Sequence, residues 1–144
     1  MTTITKGKFS ISTDKEKLDI KMIHHYLSNS YWAKNIPMET VKKSIEHSLC
    51  FGIYFVNKQV GFARVITDYT SFAYLADVFI LESEQGKGLG KWLIKEIIAF
   101  PTLQGLRKWL LATEDAHGLY KQYGFTPLKK PDSIMEIRID NIYL

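Results

Sequence analysis

The sequence is poor in cysteine and has no long uninterrupted apolar stretch. Cys50 is the only cysteine in 144 residues, which excludes an internal disulfide and a zinc site built on several thiolates. No apolar run approaches the ~20 residues of a membrane-spanning helix, and the first ten residues lack the apolar core of a signal peptide. We therefore expect a cytoplasmic protein without a membrane partner.

Clustered positive charge is also missing. Nineteen Lys and Arg residues against fifteen Asp and Glu residues give a net charge of +4, but the basic residues are scattered, with no block longer than pairs such as Lys42-Lys43. Nucleic-acid binding proteins carry a basic patch or stripe. We expect no nucleic-acid partner and favour a small phosphate-bearing ligand.

The length and the hydrophobic pattern predict one mixed α/β domain over residues 1–144, because single domains most often have ~100–150 residues. Apolar and polar residues alternate in the first segment, as in a half-buried strand, and Asp14 then offers a side chain that can cap a helix. Two helices with apolar stripes follow. The predicted order is strand 9–13, a helix around 18–27, a helix after Pro37, strands 50–56, 60–66 and 72–81, helix 88–100, strand 109–113, helix 118–123 and strand 134–139.

A glycine-rich segment, Gln85-Gly86-Lys87-Gly88-Leu89-Gly90, lies between the most apolar strand and an amphipathic helix. Glycines allow a tight turn and close approach of a ligand, and free N–H groups at a helix start bind phosphate oxygens. Lys87 and Lys91 add positive charge. The segment therefore predicts an anion-binding turn.

Two familiar phosphate-binding motifs do not fit this segment. The nucleotide P-loop needs four residues between its first glycine and a Gly-Lys-Ser/Thr ending, and no hydroxyl follows Lys87. The dinucleotide fingerprint needs Gly-x-Gly-x-x-Gly directly after a first strand, whereas these glycines alternate and come halfway along the chain.

The remaining pattern, Gln-x-x-Gly-x-Gly after an apolar strand, resembles the pyrophosphate-binding signature of the GCN5-related N-acetyltransferase (GNAT) family. Residues 116–125 resemble the family's second motif, with Tyr120 four residues before Gly124-Phe125. The resemblance implies an α+β fold with a mixed, mostly antiparallel sheet, helices on its flanks and splayed central strands. It also implies acetyl-CoA as cosubstrate. No metal is expected, because His24, His25 and His47 have no partners at metal-binding spacing.

The same resemblance implies positions for acetyl-CoA. The pantetheine arm would lie in the gap between the splayed strands, where Phe79 and Ile80 offer backbone groups. The pyrophosphate would be held by the residues of the glycine-rich segment, which are Gln85, Gly86, Lys87, Gly88, Leu89, Gly90 and Lys91. His117 could contact the cofactor, cap the second-motif helix or relay a proton.

Acetyl transfer to an amine needs a base, a site for the developing oxyanion and an acid for the departing thiolate. Tyr120 fits the acid, in agreement with the family. Asp77, the only charge in its apolar strand, is the first choice for the base, although a structural ion pair is equally open. Side-chain alternation would turn it away from the acceptor unless a bulge intervenes. A backbone N–H near Ile80 would hold the oxyanion.

The acceptor pocket is expected where the loop after the first helix meets the sheet. Tyr31 and Trp32 in this loop could enclose an amine or anchor the loop. Cys50 is expected to be a packing residue rather than a nucleophile. The acceptor is a primary amine of a small molecule or peptide, which the sequence does not identify further.

Together these features predict an acetyl-CoA-dependent N-acetyltransferase that works by direct attack in a ternary complex. Transfer of a longer acyl group is a variant. The alternative is a non-catalytic CoA-binding sensor or interaction module. The final alternating strand, residues 134–139, could pair across a homodimer.

Overall fold

A computed structural model describes residues 2–144, with helices on both faces of one six-stranded sheet. The strands are β1 (Thr3–Lys6), β2 (Phe9–Ser12), β3 (Leu49–Phe55), β4 (Lys58–Thr67), β5 (Phe72–Ile80) and β6 (Lys108–Leu110). The helices are α1 (Ile20–Ser28), α2 (Met38–Glu46), α3 (Leu89–Ile98) and α4 (His117–Lys121).

The strands lie in the sheet in sequence order, and only β5 and β6 are parallel. This confirms the mixed, mostly antiparallel sheet. Two predictions differ at its ends. The hairpin strand β1 was missed, because its polar residues carry little hydrophobic pattern. The predicted strand 134–139 is wrong within this chain, since these residues form no strand and pair with none among the described residues.

Two apolar cores cover the two faces of the sheet. One core contains α3 residues such as Leu93 and Ile97, with Phe51 and Leu75 from the strands. The other contains apolar residues of α1 and α2 with Cys50, Phe62 and Phe79 from the strands. Neighbouring strand residues such as Cys50 and Phe51 therefore point to opposite helix layers.

The first helix begins later than its sequence signal indicates. Asp14 caps a short 3₁₀ turn, accepting a hydrogen bond from the N–H of Glu16, whereas Asp19 caps α1 through the N–H of Met22. The two aspartates are equivalent cap types, so local sequence does not choose between them. Within residues 2–144, no helix combines the length and apolar character needed to cross a bilayer.

Candidate active site

The gap between β5 and β6 opens partway along the two strands. Pairing runs from Phe72 and Lys108 to Tyr74 and Leu110 and then ends, while β5 continues to Ile80. The chain after β6, residues 111–113, lies across the gap from β5 and lines the same cleft. The central strands are therefore splayed, which leaves one backbone edge of β5 without a strand partner over its second half.

A β-bulge at Asp77 changes which way the rest of β5 faces. The β4–β5 register shifts between Phe62 and Arg64, and Asp77 has a positive φ of 54°. Leu75 packs in the α3 core, yet Phe79, four residues later, packs in the α1–α2 core. An unbroken strand would place both on one face, so the bulge shifts the alternation by one residue.

This shift turns the Asp77 carboxylate toward the α1–α2 face of the sheet. The loop with Tyr31 and Trp32, which is expected to form the acceptor pocket, lies on the same face. Arg64 Nε donates to Asp77 Oδ2 at 2.8 Å, and Trp32 Nε1 donates to Asp77 Oδ1 at 2.9 Å. Arg64 also donates to the Ser48 hydroxyl at 3.1 Å. The Asp77–Arg64 ion pair is largely buried, with 10% and 16% of the two side chains exposed, so the pair positions the Trp32 ring.

Tyr120 lies on α4 and is buried against Phe125, with ring centroids 5.8 Å apart. Burial, followed by the nearby Tyr31 and Asp115, raises the pKa of Tyr120 to about 12. The phenol is therefore protonated at neutral pH. It is in the form that can donate a proton or a hydrogen bond.

Tyr31 and Trp32 are about half exposed, and their rings meet edge to face with centroids 5.1 Å apart. The Tyr31 hydroxyl accepts a hydrogen bond from the N–H of Glu114 at 3.2 Å, which ties the loop to the chain after β6. The loop is thus anchored at both aromatic residues, and both rings still face the cleft.

One cleft of about 410 Å³ brings these residues together. Its lining includes the predicted site residues Tyr31, Trp32, Asp77 and Tyr120. Other lining residues, among them Arg64, Asp115 and Tyr143, are not predicted as site residues from the sequence. Arg64 could have been found as the only charge inside the apolar part of its strand, whereas Asp115 and Tyr143 carry no comparable signal.

The glycine-rich segment forms the turn from β5 into α3. Gly86 and Gly88 have positive φ values of 82° and 80°, and an added Cβ on either would meet nothing within 4 Å. Gly88 is the residue preceding the first turn of α3. Among the described residues, no protein acceptor takes the backbone N–H groups of residues 86–91, which leaves them and the helix dipole for an anion.

The polar side chains of this segment differ in the contacts that they make. Gln85 Nε2 donates to the Ile80 carbonyl at 3.0 Å and so closes the turn. Lys87 forms an ion pair with Glu84 at 2.8 Å but is half exposed. Lys91 lies in the first turn of α3 and is exposed. The backbone therefore provides the fixed part of the anion site, and the lysines provide adjustable charge.

The backbone groups of Phe79 and Ile80 point in opposite directions. Because the N–H of Leu81 donates to Val60 of β4 at 2.8 Å, the alternation of an antiparallel pair directs the N–H and C=O of Ile80 away from β4 and into the gap. Phe79 faces its partner Phe62 on β4. Its ring stacks on Tyr26, with centroids 3.9 Å apart, and is buried in the α1–α2 core.

Two other predicted positions lie outside the cleft. His117, the first residue of α4, is exposed and lines a groove on the other side of the chain after β6. Cys50 is buried, and burial raises the pKa of its thiol to about 11. Across residues 2–144, no three His, Cys, Asp or Glu side chains are grouped as metal ligands.

Comparison with known proteins covers the glycine-rich segment and α4 together. A model of the acetyltransferase (GNAT) family matches residues 20–125. A Gibberella zeae protein named as an acetyltransferase is 31% identical over 159 residues, spanning 94% of this chain and 89% of its own length. The crystal structure of a Xanthomonas campestris protein described as a GNAT-family acetyltransferase matches with a TM-score of 0.92 and 51% identity, over 94% of this chain and 96% of that chain.

A more distant structure adds a ligand. A GNAT-family acetyltransferase from Elizabethkingia anophelis, crystallised with acetyl-CoA, has a TM-score of 0.66 and 17% identity, over 94% of this chain and 91% of that chain. At this identity the match concerns the fold alone.

Proposed function

This chain belongs to the GNAT family of acetyltransferases, and from that premise we propose that it transfers an acetyl group from acetyl-CoA to a primary amine. The observation that carries the proposal is the continuity of two sites along β5. The anion-binding turn follows the end of this strand, and the cleft with Asp77 and Tyr120 is lined by residues 74–78 of the strand. A long molecule with an anionic end can occupy both at once.

The cradle, defined as residues 85–91, fits the pyrophosphate of CoA. Its free N–H groups point outward at a helix N-terminus, and the absence of side chains at Gly86 and Gly88 leaves open space for phosphate oxygens. Lys87 and Lys91 supply neutralising charge. The N–H of Ile80 is then available for the pantetheine arm, and so is the remaining lone pair of its C=O, which already accepts a hydrogen bond from Gln85 Nε2. Both would complete the unpaired edge of β5.

Tyr120 is the proposed acid. When bound, acetyl-CoA supplies a reactive thioester, and its leaving thiolate needs a proton or a hydrogen bond. With a pKa of about 12, Tyr120 stays protonated until the sulfur becomes negative. The same high pKa makes it a weak acid, so we assign it hydrogen-bond donation to the departing sulfur, with proton transfer as the bond breaks.

Asp77 is the proposed acceptor of the amine proton, directly or through water. Its two oxygens each accept one hydrogen bond, from Arg64 and Trp32, and each has a lone pair left for a further donor. Asp115 is a second carboxylate in the cleft, and no ion pair occupies it within residues 2–144. Single Asp→Asn variants distinguish the two, because only loss of the base should lower kcat by the 10²- to 10⁴-fold typical of general base catalysis.

The acceptor is proposed to be a small molecule or peptide that approaches as a cation. Two carboxylates, Asp77 and Asp115, outnumber the one positive side chain, Arg64, in the lining of the cleft. The rings of Tyr31 and Trp32 offer faces that attract an ammonium group. The same lining disfavours a nucleic-acid phosphate. A reducing, cytoplasmic location is part of the proposal, since the chain has one buried, free cysteine.

Direct attack in a ternary complex is proposed, without an acetyl-enzyme. Cys50 is buried, and with a pKa of about 11 its thiol is almost wholly protonated at neutral pH. It also lies outside the lining of the cleft.

The test is release of free CoA thiol from acetyl-CoA by the pure protein with a panel of primary amines. We expect multiple turnovers with one class of amine. Tyr120→Phe should lower kcat by roughly 10²-fold, while the matched control Tyr123→Phe, which lines a different groove, should keep wild-type activity.

Two outcomes contradict this proposal in different ways. Saturable acetyl-CoA binding without turnover on a broad panel would favour a CoA-binding sensor. Absence of saturable binding would overturn the cradle assignment itself.

A further inference from the structure

The hydroxyl of Tyr31 lies at the cleft with its donor capacity unused. Its oxygen accepts the N–H of Glu114 at 3.2 Å, and no acceptor among residues 2–144 takes its proton. A phenol can accept one hydrogen bond and donate another at the same time. Because the accepted bond fixes the oxygen at the chain after β6, the free O–H is directed away from Glu114. The cleft, which Tyr31 lines, therefore contains an unused hydrogen-bond donor.

This donor is close to the phenol of Tyr120, the proposed acid. Both tyrosines line the same cleft. Burial is the first cause that raises the pKa of Tyr120, and the Tyr31 phenol is the second, so the two hydroxyl groups lie within the range of one another's charge. The structure gives them no hydrogen bond to each other. An atom of a bound molecule can therefore lie between them and accept from both.

The loop that carries Tyr31 also reaches the proposed base. Trp32, the next residue, donates to Asp77 at 2.9 Å, and the rings of Tyr31 and Trp32 meet edge to face. Asp77 belongs to β5 and Glu114 to the chain after β6, so two adjacent residues attach the loop to both sides of the splayed gap. This double attachment holds the Tyr31 hydroxyl in one position, as a hydrogen bond to a reacting atom requires.

The weak acidity of Tyr120 creates a need for a second donor. The thiol of CoA has a pKa of ~8.5 by analogy with cysteine, whereas the pKa of Tyr120 is about 12. The proton therefore prefers the tyrosine oxygen over the thiolate by roughly 10³-fold. The sulfur consequently carries most of the negative charge as it leaves, and two fixed donors stabilise this charge better than one.

On the premise of the proposed acetyl transfer, we propose that Tyr31 is a second catalytic residue, whose hydroxyl donates a hydrogen bond to the leaving sulfur beside Tyr120. A bond forms between the acceptor nitrogen and the acetyl carbon, the carbon–sulfur bond breaks, and its electron pair stays on sulfur. Asp77, directly or through water, takes the amine proton. Tyr120 gives its proton to the sulfur late and recovers one from solvent, while Tyr31 keeps its own.

The first test measures binding and needs no acceptor. The probes are CoA and desulfo-CoA, the analogue without the sulfur atom, titrated into the wild type and Tyr31→Phe by calorimetry. At about pH 9 the free thiol of CoA is mostly ionised, and at about pH 7 it is mostly protonated. In Tyr31→Phe we expect the preference for CoA over desulfo-CoA at pH 9 to fall about tenfold, the effect of one hydrogen bond to a charged group. The preference at pH 7 should change little.

The comparison holds constant every other charge that faces the sulfur. The remaining titratable or charged side chains that line the cleft are Arg64, Tyr74, Asp77, Asp115, Tyr120 and Tyr143. The carboxylates oppose a thiolate and the guanidinium favours it, but both proteins contain all of them. An unchanged Kd for desulfo-CoA shows that the variant is folded. Tyr69→Phe, which changes an exposed tyrosine in the turn between β4 and β5, is the matched control and should behave as the wild type.

The second test separates catalysis from anchoring of the loop. Tyr31→Phe keeps the ring but loses both the donor and the bond to Glu114. We expect kcat to fall about tenfold, with the KM of either substrate changed less than twofold. His24→Phe removes a different anchor of the same loop, the bond from His24 Nε2 to the Ile36 carbonyl at 2.9 Å. This variant should change the KM for the acceptor and leave kcat close to that of the wild type.

The outcomes that contradict the inference are distinguishable from failure of the proposed function. If neither CoA nor desulfo-CoA binds, the proposed function fails and the role of Tyr31 fails with it. If both bind and the wild type and Tyr31→Phe show the same preference for CoA at pH 9, only the role of Tyr31 is overturned. A Tyr31→Phe enzyme that differs from the wild type only in the KM for the acceptor would reduce Tyr31 to an anchor.

Discussion

The cradle and the cleft are built in contrasting ways, although both adjoin the same strand, β5. The cradle is one continuous stretch, residues 85–91, whose geometry comes from two glycines with positive φ and a helix start. The cleft draws on the loop after α1, on β4 and β5, on the chain after β6 and on Tyr143 near the chain end. A local turn depends on its own residues, whereas a cleft depends on every element that frames it.

Under the proposed acetyl transfer, this contrast separates binding of the cosubstrate from recognition of the acceptor. Binding of an invariant cosubstrate needs only backbone N–H groups at a fixed turn. Recognition of an acceptor needs side chains in a defined relative geometry. Changes in the cradle and in the cleft should therefore alter different kinetic constants, and the following predictions are designed to separate them.

The largest expected effect is that of Asp77→Asn on the cleft. The variant leaves the Arg64 guanidinium largely buried without its counter-ion, and we expect a loss of about 3 kcal/mol in the free energy of unfolding. The KM for acetyl-CoA should be unchanged, while kcat falls. Urea denaturation and steady-state kinetics measure the two effects.

Glu39→Gln is the matched control for that loss of stability. It breaks the Glu39–Lys42 ion pair, in which both partners are more than half exposed, so denaturation should show little change. An equal loss of stability in both variants would mean that burial of the Asp77 pair has no special importance.

The next effect, Gly88→Ala, belongs to the cradle. A residue with a side chain pays about 1–2 kcal/mol in the left-handed conformation that Gly88 adopts, and relief of this strain would rotate the N–H groups at the start of α3. We expect the KM for acetyl-CoA to rise about tenfold, equivalent to ~1.4 kcal/mol, with the KM for the acceptor unchanged.

Gly7→Ala is the control that introduces the same backbone strain outside the cradle. Gly7 also has a positive φ, 63°, and open space around its Cα, but it lies in the turn between β1 and β2. Both variants should lose similar stability by thermal denaturation, and only Gly88→Ala should change the KM for acetyl-CoA. A matching change in the Gly7 variant would mean that general strain, not the cradle, sets the affinity.

The smallest effect concerns Tyr54, which belongs to neither region. Its buried hydroxyl has no hydrogen-bond partner among the described residues, and burial raises its pKa to about 12. An unfolded tyrosine loses its proton near pH 10, so between about pH 10 and pH 12 the unfolded state binds fewer protons than the folded state. The stability contributed by the neutral phenol is complete below this window and falls as pH rises through it.

Tyr54→Phe should therefore make the protein less sensitive to alkali. At neutral pH we expect a gain of up to about 1 kcal/mol, because an unsatisfied hydroxyl is removed. Urea denaturation at neutral and alkaline pH measures both effects, and kinetic constants should remain those of the wild type. A steeper alkaline loss in the variant would contradict the assignment.

Several elements could be predicted from sequence because their signals are local. Residues 85–91 predict a turn into a helix. The elements β3, β4, β5 and α3 have periodic apolar residues, which predict strands and a helix. The polar strand β1 has no such signal. Residues 134–139 show a strand pattern, but whether a strand pairs depends on an available edge, which the segment itself does not encode.

Asp77 marks the boundary between what the sequence determined and what the tertiary structure decided. The sequence alone determined that one carboxylate interrupts an apolar strand, that a glycine turn follows, and that Tyr120 precedes Gly124-Phe125. The tertiary structure decided that a bulge rotates Asp77 to the acceptor face and pairs it with Arg64 and Trp32. The reason is physical: the direction of a strand side chain depends on the register with its neighbour, and one inserted residue reverses it.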